Sequence, residues 1–157
     1  MHTWGAATSA VGLVWKAHSD YIRSVAFSPN GQWIVTAAHD RAVNIWDAYT
    51  GATFFNFTGH SGAVISVAFS SDGSQLATAG HDKTVRLWAL GLVGSGPRLD
   101  GSSDEFTNVT YSPDGRYLLS GSMGGGVRRN DFVMAMVPND STVWPIRRTV
   151  FKLPQSE

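Results

Sequence analysis

The sequence predicts an all-β fold made of about three units, each of four antiparallel strands. Two observations carry this. The chain repeats itself every 42 residues without a gap: 21–47 (YIRSVAFSPNGQWIVTAAHDRAVNIWD) aligns with 63–89 (AVISVAFSSDGSQLATAGHDKTVRLWA) and with 105–131 (EFTNVTYSPDGRYLLSGSMGGGVRRND). Self-similarity at a fixed period is the mark of a repeat architecture. Within each copy, short β-branched or aromatic runs alternate with turn residues, which is the pattern of strands and hairpins.

The strands follow in order. SVAF, SVAF and NVTY are first strands. SPNG, SSDG and SPDG follow them, where Gly after Asn or Asp supplies the left-handed backbone a tight turn needs. QWIVTAA, SQLATAG and RYLLSGS are second strands, and a turn holding Asp40 or Asp82 comes next. AVNIWD and TVRLWA are third strands, with Val43 and Ile45 on one face, as are Val85 and Leu87. ATFFNF (52–57) reads as a fourth strand, and VGLVW (11–15) as the outer strand of a preceding unit. The Gly/Ser-rich run 91–103 predicts a short or frayed fourth strand in the second unit. FVMAMV (132–137) is expected as an outer strand, and 142–153 as a further one. Four strands per repeat of this length is the period of a propeller blade. The expected division is 11–58 for the first blade with its preceding outer strand, 59–101 for the second, 102–137 for a degenerate third and 138–157 for a non-repeat tail.

Composition narrows the function. Hydrophobic residues make up 43% of 157, enough for a sizeable core, and 12 basic side chains balance 12 acidic ones. A neutral chain gives no electrostatic argument for nucleic acid or an anionic membrane. The basic residues after Arg116 (Arg128, Arg129, Arg147, Arg148, Lys152) leave that reading open as an alternative. There is no cysteine, which excludes disulfides, thiol catalysis and Cys-based zinc sites. No apolar run is long enough for a membrane span. The N-terminus lacks the basic start of a secretory signal, so a cytoplasmic or nuclear location is expected.

The repeat carries Gly59-His60 (Ala17-His18 in the first copy), an Asp in the tight turn, and Trp46-Asp47 (Trp88-Ala89 in the second). In these marks, over about residues 11–131, the chain resembles the WD-repeat β-propeller family. The resemblance implies partial or open propeller blades and a hydrogen-bonded tetrad in each: His18, Thr36, Asp40 and Trp46, then His60, Thr78, Asp82 and Trp88. The third copy departs from it. Ser102 stands for the His, Gly124 for the Asp and Asn130 for the Trp, with only Ser120 surviving, so a looser blade is expected.

The resemblance also implies a non-catalytic protein-interaction scaffold, part of a larger propeller or signalling assembly, with no cofactor and no metal. Its partners are proteins or peptides on the face bearing the tight turns and the loops before the first strands. By position, the candidates are Tyr21, Arg23 and His39; Ala63, Ile65 and His81; and Glu105, Thr107 and Met123. His18, His39, His60 and His81 are evenly spaced, but neighbouring blades are expected to hold them too far apart for a metal, with no carboxylate joining them. The Ser/Thr–His–Asp vocabulary also spells a hydrolase, although one such set per blade argues for structure. Three blades are too few to close a ring. The chain is therefore expected to be a fragment of a longer propeller, or to complete a ring by self-association.

Overall fold

The computed structural model describes residues 1–4, 11–90, 95–100, 104–123, 130–136 and 148–151. They form a hairpin, β1 (His2–Trp4) and β2 (Val11–Val14), followed by three four-stranded antiparallel sheets. The first sheet is β3 (Ile22–Phe27), β4 (Trp33–Ala38), β5 (Val43–Asp47) and β6 (Thr53–Phe57). The second is β7 (Val64–Phe69), β8 (Gln75–Gly80), β9 (Thr84–Ala89) and β10 (Ser95–Asp100). The third is β11 (Phe106–Tyr111), β12 (Tyr117–Met123), β13 (Asn130–Met136) and β14 (Arg148–Phe151). In each, strands pair in chain order.

Turn chemistry is repeated as closely as the sequence. Gly31, Gly73 and Gly115 hold φ of 71°, 73° and 70°, at the same place in the turn after each first strand. Ser28, Ser70 and Ser112 make there the backbone bonds that close the hairpins, their amides donating to the carbonyls of Trp33, Gln75 and Tyr117 at 2.9 Å.

The sheets pack face to face, and the innermost strands β3, β7 and β11 lie next to one another. Second strands are therefore covered on both faces, and from Ile34 to Ala38 and from Leu76 to Gly80 every residue is buried. Small residues there (Ala37, Ala77, Ala79) let the blades approach. Val35, Val43 and Ile45 of the first blade pack on Val64, Val67, Leu76 and Trp88 of the second. Ala77, Val85 and Leu87 of the second then pack on Phe106, Val109, Tyr111 and Leu118 of the third. The inner seam is also hydrogen-bonded at one repeat position: the Val67 amide donates to Ser24 Oγ (3.3 Å) and the Val109 amide to Ser66 Oγ (3.1 Å). The first blade has no such neighbour on its leading side among the described residues. Trp15, next to β2, covers Trp46 at 5.9 Å, but Val25 and Phe27 stay 58% and 64% exposed.

Three strand expectations need correction. Within the Gly/Ser-rich run the fourth strand is not short: β10 is six residues long, and its register shift between Ser95 and Arg98 recurs where β5 pairs with β6. The FVMAMV segment is not an outer strand but lies in the third strand of its blade, and β14, within 138–157, is the outer one. The third repeat also slips. A strict repeat of β8 against β9 would pair Tyr117 with Asp131; the sheet pairs it with Met136, five residues further on. Asn130 thus falls opposite Met123, and Ala135, paired with Leu118, takes the place that Trp88 holds opposite Leu76. The apolar, strand-forming run 132–136 outcompetes the Gly- and Arg-rich run before it.

One repeat position tests which faces are covered. Tyr111→Ala, at a residue 9% exposed against the second blade, is expected to cost on the order of 3 kcal/mol in urea unfolding. Phe27→Ala, at the equivalent residue of the open face, is expected to shift stability by less than about 0.5 kcal/mol at concentrations where the chain is monomeric.

Candidate functional site

The two tetrads form continuous hydrogen-bonded chains. In the first, Asp40 lies 3.0 Å from His18 Nδ1, His18 Nε2 lies 2.7 Å from Thr36 Oγ1, and Trp46 Nε1 donates to Thr36 Oγ1 at 2.9 Å. In the second, Asp82–His60, His60–Thr78 and Trp88–Thr78 measure 2.9, 2.8 and 3.0 Å. The directions follow from donor inventory. An indole can only donate, so the threonine oxygen accepts from it and gives its own proton to His Nε2, leaving Nδ1–H to donate to the carboxylate.

The same carboxylates tie down both flanking segments. Asp40 accepts from the amides of Ser19 and Ala42, and Asp82 from those of Ser61 and Thr84 and from the Thr84 hydroxyl. Burial pushes the Asp82 carboxyl up, but the bonds from Thr84, Ser61 and His60 outweigh it and leave its pKa below the usual range. His60 is likewise lowered, chiefly by burial, against the pull of Asp82.

This arrangement has the vocabulary of a hydrolase without its access. Thr36 and Thr78 are fully buried at 0% exposure, and each oxygen already accepts an indole N–H. A nucleophile needs an open approach, so what the chain of bonds can do is hold a turn in place.

The nine face candidates fall into three in-register trios. The His39, His81 and Met123 amides donate to the carbonyls of Tyr21, Ala63 and Glu105, at 2.9, 2.9 and 3.0 Å. Arg23, Ile65 and Thr107 share one position on β3, β7 and β11. Tyr21 and Met123 are 77% and 64% exposed, and Arg23 and Glu105 are also exposed. Ala63 and Thr107 are half-buried, and so is Ile65, expected on an exposed face.

The evenly spaced histidines correct an expectation. His39 and His81 are not held apart: their rings meet across the seam with centroids 6.2 Å apart, and Glu105 reaches His81 Nε2 at 3.5 Å. Tyr21 sits edge-on to His39 at 6.2 Å. The result is a row, Tyr21–His39–His81–Glu105, that crosses all three blades. Sequence spacing missed it because spacing along the chain does not give the distance between neighbouring blades at their inner ends. Among the described residues, no group of three His, Cys, Asp or Glu side chains could hold a metal ion. Ser102, Gly124, Arg128, Arg129 and Arg147 lie outside the described residues, which leaves the basic-patch alternative without a geometry.

Two outcomes follow from the tetrad. Thr78→Val strands His60 Nε2 and the Trp88 indole, and is expected to cost about 1–3 kcal/mol in chemical denaturation. Because His60 is lowered in the fold, the unfolded chain binds a proton that the folded chain resists, so stability is lost as pH falls below about 6.5. Asp82, also lowered, adds a second loss below about pH 4. Thermal midpoints from pH 7.5 to 5 should show the first decline, and His60→Asn should flatten it.

A family model described as "WD domain, G-beta repeat" matches residues 11–47, 51–89 and 95–128. Each match runs from the outer strand of one sheet through the three inner strands of the next, except that the third stops before β13. A search of curated proteins finds no match. With three consecutive matches over most of its length, and a hydrogen-bonded tetrad within each of the first two blades, the chain belongs to the WD40 repeat family.

Proposed function

We propose that the chain is a non-catalytic protein-interaction scaffold of a larger cytoplasmic or nuclear assembly, binding partner proteins or peptides on the turn-bearing face. WD40 repeats are in general protein-interaction modules. The single observation that carries the finer reading is the row Tyr21–His39–His81–Glu105. These side chains are not needed to close the tetrads, yet they converge across two seams. Tyr21 supplies an exposed aromatic of the kind that anchors interfaces. His39 Nε2, at the centre of the row, is buried with no hydrogen-bond partner among the described residues. The His81–Glu105 pair is solvent-exposed and adds little stability, so its substitution separates binding from folding.

Self-association is the second part of the proposal, favoured by the exposed Val25 and Phe27. A second copy would cover them as the first blade covers Val67 and Phe69.

The test is a combined variant, Tyr21→Ala with His81→Ala and Glu105→Ala, compared with the parent chain in crosslinking and co-purification from cells. The expected outcome is an unchanged melting curve and loss of the bound proteins. Retention of the same proteins would overturn the assignment of this face. Sedimentation of the parent and of Phe27→Ser over a range of concentrations tests self-association: only the parent should gain mass.

A further inference from the structure

A cleft lies on the face opposite the Tyr21–Glu105 row, between the turns that follow the first strands of blades one and two. It encloses about 520 Å³, and its walls include Trp33, Phe54, Phe55, Leu90, Asn30 and Asp72. That size is within the range of ligand pockets. Trp33 and Phe54 stack with centroids 4.0 Å apart, and Phe54 meets Phe55 edge-on at 4.5 Å. Phe54 is nonetheless 52% exposed.

The repeat itself shows which part of this cleft is scaffold. At the next seam a cavity recurs at the same place, of about 260 Å³, lined by Ser70, Gln75, Asp114 and their neighbours. A gap there is thus a property of splayed blades. The aromatic lining is not: in register, Gln75 stands for Trp33, Gly96 for Phe54 and Pro97 for Phe55. The first cleft is twice the volume of the second and walled by rings that the architecture does not require. The acidic group belongs to the scaffold: Asp72 lines both cavities, and Asp114 holds its place at the second seam. Asp72 takes hydrogen bonds from the Ser70 and Ser74 hydroxyls and the Ser74 amide, and the Ser70 bond leads in holding its pKa below the usual range.

We infer that this cleft is a binding site for a short peptide segment in which an aromatic side chain is next to a basic one. The aromatic ring enters between Phe54 and the Leu90 side, extending the Trp33–Phe54 stack. The basic group lies at the mouth against the Asp72 carboxylate. An aromatic residue followed by an acid would meet that carboxylate with like charge, so the cleft discriminates by sign. The site is on the face opposite the Tyr21–Glu105 row, so the two proposals fail independently.

The test uses the full chain, ¹⁵N-labelled, titrated with N-acetyl-Phe-Arg-amide. N-acetyl-Phe-Glu-amide and N-acetyl-Ala-Arg-amide serve as comparisons. The expected result is saturable shifts at the Trp33 indole and the Gly73 and Leu90 amides, with binding weaker by up to about fivefold for the Glu peptide, the upper size of an exposed ion pair, and weaker also for the Ala peptide, which lacks the ring. Asp72→Asn should erase the preference for Arg over Glu while keeping aromatic binding, and Trp33→Gln should remove binding. Both variants place residues that the repeat already uses there, Asn30 and Gln75, so the turns and strands accept them. The absence of saturable shifts, equal response to all three peptides, or an Arg preference that survives Asp72→Asn would each overturn the proposal.

Discussion

A carboxylate that cannot be left alone organises each intact blade. Asp40 and Asp82 sit beside buried apolar strands, where an unpaired charge would be untenable. Their oxygens are satisfied only if three segments meet: the lead-in loop carrying His, the tight turn itself, and the strands bearing Thr and Trp. The turn has its own penalty. Arg41 and Lys83 hold left-handed φ of 69° and 63°, which costs a side-chain-bearing residue about 1–2 kcal/mol. The bonds from the Ala42 and Thr84 amides to the preceding carboxylates span those two residues and keep them there. One acidic side chain thus stabilises a strained turn, fixes a histidine tautomer and sets where the first strand of its own blade begins.

The second constraint is that no blade is covered by itself. The first two sheets are buried on both faces in their second and third strands, so burial is completed only by the neighbour. This is the logic of linear repeat arrays, whose stability lies in interfaces as much as in units. It explains the contrast along the chain. The leading faces of blades two and three are closed by the blade before them. That of blade one is closed only at its outer half, where Trp15 and Met1 pack near Trp46 and Ile34. Both covering residues flank the short β1–β2 hairpin, where the Trp15 amide donates to the Met1 carbonyl.

Much of this was legible because period, turn chemistry and tetrad residues all agree in blades one and two. Strands β3 to β9 fall where alternation and Asn-Gly or Asp-Gly turns put them. Legibility ends where these signals conflict. After Met123 the in-register alignment continues through Gly124 to Asn130, but strand pairing follows the apolar run that comes next. Alignment by period cannot see this slip, because it assumes that pairing follows position. The same limit hid the His39–His81 contact and the cleft at Trp33, which depend on distances between blades. β1 escaped notice for a simpler reason: His2–Trp4 is three residues long and belongs to no copy of the repeat.

The repeats therefore act as internal controls for one another. Where a residue recurs in register, as with the Thr–His–Asp–Trp set or the turn serines, folding accounts for it without any ligand. Where blades diverge at one structural position, the architecture does not dictate the choice. Tyr21, Ala63 and Glu105 occupy one such position, and Trp33, Gln75 and Tyr117 another. At the first, the divergence puts an aromatic ring and a carboxylate at the two ends of a row whose imidazoles, His39 and His81, recur in register. At the second, it converts one of two equivalent seam gaps into an aromatic cleft. Each departs from the repeat at a surface position, where a change of side chain leaves the buried bonds intact. A scaffold built of copies can vary these positions blade by blade, and so present different chemistry on two faces while every blade solves the same folding problem.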